Sequence, residues 1–91
     1  LVISQTISIT EMENQEVSLY PNPTSGSLRI ESSQVMQTIQ IYDIAGKFID
    51  SHWVNDTSTN ININNYKSGI YFIKVLNTED EIINMQKIIK Q

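Results

Sequence analysis

The sequence predicts an all-β protein built as an antiparallel sandwich, and three observations carry that expectation. From Val17 onward, short apolar runs recur about 8–12 residues apart with turn residues between them, the spacing of a sandwich or barrel. Sixteen isoleucines and nine asparagines suit a pleated, half-buried surface and the turns that join its strands. Ala45 is the one alanine, whereas helices favour alanine above every other residue.

Taken in order, residues 1–16 stand apart. "LVISQTISIT" has an Ile7/Ile9 alternation that could pair as an added strand, and "EMENQE" is polar, acidic and without turn chemistry. The first sixteen residues are therefore expected to be a linker with room for a strand in its first ten, and residues 17–91 the folded domain. Seven strands are expected, near 17–20, 27–32, 38–44, 47–54, 59–63, 69–77 and 81–90, the count of an immunoglobulin-like sandwich. Between the first two lies Tyr20-Pro21-Asn22-Pro23. Neither proline has an amide donor and each biases its predecessor towards extended geometry, so this segment leaves one strand, runs extended and turns at Thr24-Ser25-Gly26. A strand ended by prolines is also a poor template for another chain.

Alternation is cleanest at Leu28/Ile30, Ile39/Ile41 and Ile61/Ile63, with Arg29, Gln40 and Asn62 turned to water. Asp43-Ile44-Ala45-Gly46 has the Asp-first, Gly-last preference of a type I turn and closes a hairpin. Asn64 to Gly69 is a longer connection in which Gly69 can take a positive φ. Residues 69–77, "GIYFIKVLN", are apolar on both faces and predict a central strand covered on both sides. Asn77-Thr78-Glu79-Asp80 repeats the earlier turn and leads into the last strand.

Ninety-one residues suffice for one domain and not for two cores. The chain opens on Leu1, with no basic leader and no apolar run near the ~20 residues of a membrane span, which suggests a piece of a longer protein or a processed product. The absence of cysteine excludes disulfides, thiolate metal sites and a thiol nucleophile. A net charge of −4, with Arg29, Lys47, Lys67, Lys74, Lys87 and Lys90 scattered singly, gives no footprint for a phosphate backbone or an anionic membrane.

Residues that could carry chemistry do not form a constellation. His52 beside Trp53 has neither a second histidine nor a cysteine to complete a triad or metal site, and is expected to be a strand residue with its ring at the surface. Glu79/Asp80/Glu81 and Glu11/Glu13 fall in turn or linker, where carboxylates are simply solvated. Asp43, Asp56 and Asp80 lack a calcium-loop pattern. Trp53, Tyr42, Tyr66 and Tyr71 could form a stacking surface for a sugar, but a lone tryptophan in a small sandwich is more often core, as is Tyr71. Asn55-Asp56-Thr57 matches a glycosylation acceptor too short to carry weight. Neither a cofactor nor a metal is implied, and the expectation is a non-catalytic module.

The order of the motifs goes further. "LYPNP" (19–23), "IQIYDIAGK" (39–47), "KSGIYFIKV" (67–75) and the closing "MQKIIKQ" (85–91) together resemble the type A C-terminal sorting domain of type IX secretion cargo from Bacteroidota, over about residues 17–91. The resemblance implies a non-catalytic delivery module, folded as a seven-stranded immunoglobulin-like sandwich at the end of a secreted protein. The outer-membrane translocon recognises it, and a cell-surface sortase cuts in the preceding linker and joins the cargo to an anionic lipopolysaccharide. The implied partners are thus translocon and sortase components and a covalently attached upstream cargo, and the implied destination is the cell surface or the medium. Carried over by position, the sorting motifs fall on Pro21, Asn22 and Pro23, on Asp43 and Gly46, and on Gly69 and Tyr71. The terminal signal falls on Lys87, Ile88, Ile89 and Lys90. The first groups are turn or core positions any such sandwich needs, so recognition is expected in residues 85–91, with strand addition at that edge as its mode. The rival readings are an accessory carbohydrate-binding or adhesion module, which needs an exposed Trp53, and a structural spacer. A monomer, or a weak dimer through an edge strand, is expected.

Overall fold

The computed structural model describes residues 17–91, and the expected linker over 1–16 with its added strand lies outside the described residues. The all-β expectation holds. Five strands form: β1 (Val17–Tyr20), β2 (Ser27–Asp43), β3 (Phe48–Asn62), β4 (Gly69–Asn77) and β5 (Ile82–Lys90). All the pairings between them are antiparallel.

The expected count of seven is corrected to five among the described residues because two pairs of segments run on as single bent strands. Segments 27–32 and 38–44 are both β2, and 47–54 and 59–63 are both β3. The cause is a change of parity. Leu28, Ile30 and Met36 are buried at even positions, Ile39 and Ile41 at odd ones. A period-two pattern can switch only where an extra residue is accommodated, and the register shifts between Met36 and Thr38. On β3 the matching break falls at Asn55, a left-handed residue with φ 53°. Both strands bend where the sequence reads as a gap, without leaving the ladder.

The bends divide the sheet into two halves. In the first, residues 27–31 of β2 lie between β1 and the end of β3; in the second, the order is start of β3, end of β2, β4, β5. Val17, Leu19, Leu28, Ile30 and Ile61 from the first half and Ile39, Ile41, Ile73, Val75 and Ile88 from the second belong to one buried cluster. Full burial of such a side chain is worth roughly 1.5–3 kcal/mol, and this is what holds the halves together.

One expectation about β4 fails. It is central in its sheet, but only Tyr71, Ile73, Val75 and Asn77 are buried, while Ile70, Phe72, Lys74 and Leu76 on its other face are half-buried. Its second apolar face therefore has no layer over it among the described residues. Asn77 closes the hairpin to β5: its Oδ1 accepts from Glu79 N at 2.8 Å and Glu81 N at 3.0 Å, and Asp80 follows at φ 62°. This is the turn chemistry expected there.

Candidate functional site

The first motif and the terminal strand, joined by contacts 65 and 67 residues apart in the chain, are one structural unit. The side-chain amide of Asn22 takes the place of a strand: its Nδ2 donates to Lys87 O at 3.0 Å, and its Oδ1 accepts from Ile89 N at 3.0 Å. Thr24 continues the cover as a parallel bridge to Lys90, with Thr24 N donating to Ile89 O at 2.9 Å and Gln91 N donating to Thr24 O at 2.8 Å. Pro21 and Pro23, each after a cis bond, hold Asn22 between them without offering donors of their own. Thr24 is 1% exposed, and its Oγ1 donates to Ser27 O at 2.6 Å and accepts from Gly26 N at 3.1 Å. The turn at 24–26 thus fixes the cover in place.

This geometry narrows where strand addition could occur on β5. Strand addition along residues 87–91 needs unpaired backbone groups, and Lys87 O, Ile89 N, Ile89 O and Gln91 N are already bonded to Asn22 and Thr24. Asn22→Ala should remove two bonds from this edge while leaving the core untouched. Net loss of about 1.4 kcal/mol locally would speed amide exchange at Ile89 roughly tenfold, with little change at Ile73 or Val75. Exchange followed by NMR checks this.

The terminal residues divide by face. Ile88 is fully buried and Lys90 is 8% exposed, with its Nζ donating to Gln91 O at 3.0 Å. Lys87 and Ile89 point the opposite way and are exposed. Of the four, then, only Lys87 and Ile89 offer side chains to a partner.

The remaining motif residues are built into the fold. Asp43 Oδ1 accepts from Ala45 N and Lys47 N, both at 2.9 Å, while Gly46 N donates to Asp43 O at 2.9 Å. Gly46 has φ 87°, which a side chain would strain. Gly69 begins β4 opposite Lys90. Tyr71, 9% exposed, donates its hydroxyl proton to Lys67 O at 2.7 Å, the upstream tether that immunoglobulin-like sandwiches place at such a corner. Tyr66 packs against it with ring centroids 5.2 Å apart, and burial, aided by the nearby Asp50 carboxylate, pushes the Tyr66 phenol above its usual range. Tyr71→Phe should cost about 1–2 kcal/mol and lower the melting midpoint by roughly 5–10 °C, measured by thermal denaturation.

The other candidates do not converge. Trp53 is 70% exposed, which corrects the expectation that it is core. It shares the outer face with Thr38, whereas Tyr71 is buried and Tyr66 packs on it, so the four aromatics make no common plane. His52 and Asp50 pair with Ile39 and Ile41, placing both on the inward face of the β3 edge, with His52 Nε2 3.4 Å from Asp50 Oδ2. Polar groups turned inward on an edge strand oppose pairing with another chain. Asp43, Asp56 and Asp80 lie in different turns or bulges, and Asp56 Oδ1 accepts from Thr57 N at 2.6 Å.

Two features escape the motif reading. One is Thr24 with Gly26, visible in the sequence only as turn residues. The other is the outer face of the second half, where Ile70 stands opposite Ile89, Phe72 opposite Lys87, Lys74 opposite Met85 and Leu76 opposite Ile82. Phe48 and Tyr42 extend it, with ring centroids 5.7 Å apart, and Lys74 Nζ lies 4.8 Å over the Tyr42 ring. An open depression of about 340 Å³ is lined by Ile82, Ile83, Asn84 and Met85 of β5.

Comparison with known proteins accords with this arrangement. A solved structure of a DUF3244 family protein from Bacteroides vulgatus, with an immunoglobulin-like β-sandwich fold, superposes with a TM-score of 0.63 at 17% identity, covering 84% of this chain and 95% of the other. Ulvan lyase NLR42 of Nonlabens ulvanivorans is 27% identical over 88 residues, 94% of this chain, and the chain spans 16% of that protein's length. Sorting domains of this kind act as C-terminal secretion signals, not as catalysts, and direct export to the cell surface or the medium. The model of the secretion system C-terminal sorting domain matches residues 18–91, nearly everything the fold comprises, and the chain belongs to that family.

Proposed function

We propose that residues 17–91 direct an upstream cargo through the outer-membrane translocon of the type IX system, and that a sortase then cuts within residues 1–16. The observation that carries this reading is the division of labour among the motifs. Pro21, Asn22, Pro23, Asp43, Gly46, Gly69 and Tyr71 serve turns, tethers and the cover of β5. What they hold in place is the terminal strand, with Lys87 and Ile89 facing outward. Such a domain is a rigid mount for a recognition surface, and it contributes binding without chemistry.

The test is a fusion of residues 1–91 behind a periplasm-targeted fluorescent protein in a bacterium with a type IX system. Reporter at the surface or in the medium, lost when residues 85–91 are deleted, is the expected result. A folded fusion retained in the periplasm sinks the reading. Mass spectrometry of the released reporter should find its new C-terminus within residues 1–16; an uncut product removes the sortase step alone.

A further inference from the structure

We propose that the outward face of β4 and β5 is the docking surface for the protein that recognises this domain, and that this partner meets it with apolar side chains and carboxylates. The inference rests on the sorting reading above. With Lys87 O, both backbone groups of Ile89 and Gln91 N already bonded, the end of the terminal strand presents itself to a partner mainly through side chains, and only Lys87 and Ile89 of residues 87–90 are turned out. They do not stand alone. Ile82 and Met85 on the same strand are 56% and 55% exposed, and Ile89 is 40% exposed. Phe72 and Lys74 lie beside them in register on β4. A small soluble domain rarely leaves so many large apolar side chains on one sheet face unless something covers them.

The charge of the face says what covers it. Across the outward positions of the second half, Thr38, Gln40 and Tyr42 on β2 and their neighbours on β4 and β5, the charged groups are Lys74 and Lys87, with no carboxylate. This occurs in a chain with ten acidic and six basic residues. A partner with carboxylates set among apolar groups is complementary to such a surface. A second copy of the chain docking face to face would bring lysines together. Two lysines also fall short of the roughly 4–8 basic residues with which proteins hold anionic lipid.

The fusion of residues 1–91 to the fluorescent reporter tests this with two double variants, Lys74→Glu/Lys87→Glu and Ile82→Ser/Met85→Ser. Asn60→Glu, on the other half of the sheet, is the control. Export of each double variant should fall roughly tenfold or more, with folded reporter accumulating in the periplasm and the control unchanged. Thermal unfolding within a few degrees of the parent shows that the fold is intact, and Lys87→Glu alone replaces a double variant that unfolds. Folded variants exported like the parent overturn the docking surface while the sorting reading stands. A parent fusion that is never exported overturns both. The purified fusion is also run by sedimentation and floated with phosphatidylglycerol vesicles. Dimerisation or vesicle binding that the double variants abolish would assign the face to a second copy or to lipid, and would overturn the protein partner.

Discussion

Ile88→Ala is expected to destabilise the domain by about 3 kcal/mol, within the roughly 2–5 kcal/mol range for removing a buried aliphatic side chain. Ile88 is fully buried, pairs with Tyr71 and belongs to the cluster shared by both halves. A domain of this size is held by only about 4–10 kcal/mol, so the variant should melt roughly 10–20 °C lower. Its neighbour behaves differently. Ile89→Ala removes a side chain that is 40% exposed on the outer face, and should cost well under about 1 kcal/mol. Chemical denaturation of the two purified variants separates them on stability, and the reporter fusion separates them on export. Loss of export with Ile88→Ala reports folding; loss with Ile89→Ala reports recognition. If the two variants were equally unstable, the assignment of inner and outer faces to β5 would be wrong.

That pair also shows what was legible in the sequence. Alternating isoleucines identify strands, and burial at Leu28, Ile30, Ile39, Ile41, Ile61 and Ile63 follows the alternation directly. What alternation cannot convey is continuity. The change of parity near Gln37 looks like the end of one strand and the start of another, because a bulge and a turn both interrupt a period of two. Residues 69–77 misled for a related reason. An apolar run reads as a strand buried on both sides whether its second face is covered by its own fold or left for a partner. Trp53 stands on the same outer face, where the usual burial of a lone tryptophan in a small sandwich does not apply.

The site was legible in its parts and not in its assembly. Asp43 and Gly46 announce a turn because their hydrogen bonds span no more than four residues, and the structure has those bonds. Pro21, Asn22 and Pro23 announce only the absence of a ladder. That the Asn22 amide replaces the missing strand for Lys87 and Ile89 depends on contacts 65 and 67 residues apart, and local pattern carries no trace of them. The prolines therefore do more than end β1. They present one side chain whose donor and acceptor imitate a peptide unit, and so close the terminal edge without a sixth strand.

Gly26→Ala should be the most damaging change outside the core, at roughly 2–5 kcal/mol from backbone strain and overpacking together. Gly26 has φ 157°, a conformation side chains rarely adopt, and a methyl group there would collide with the Asn64 side chain and lie 3.3 Å from Asn64 Cα. Swinging the Asn64 amide away relieves only part of the collision, because the Cα cannot follow. Gly26 O accepts from Ile63 N at 2.7 Å, and Gly26 N donates to Thr24 Oγ1. Any shift of Gly26 is thereby passed to Thr24 and on to the cover of β5. Gly46→Ala is the comparison: its φ of 87° is also unfavourable to a side chain, but nothing lies within 4 Å of the added methyl, so it should cost only about 1–2 kcal/mol. Chemical denaturation gives the difference between the two, which measures the collision with Asn64. Amide exchange in Gly26→Ala should rise at Ile63, Ile89 and Gln91 together. A rise at Ile63 alone would mean that the turn and the cover of the terminal strand are not mechanically joined.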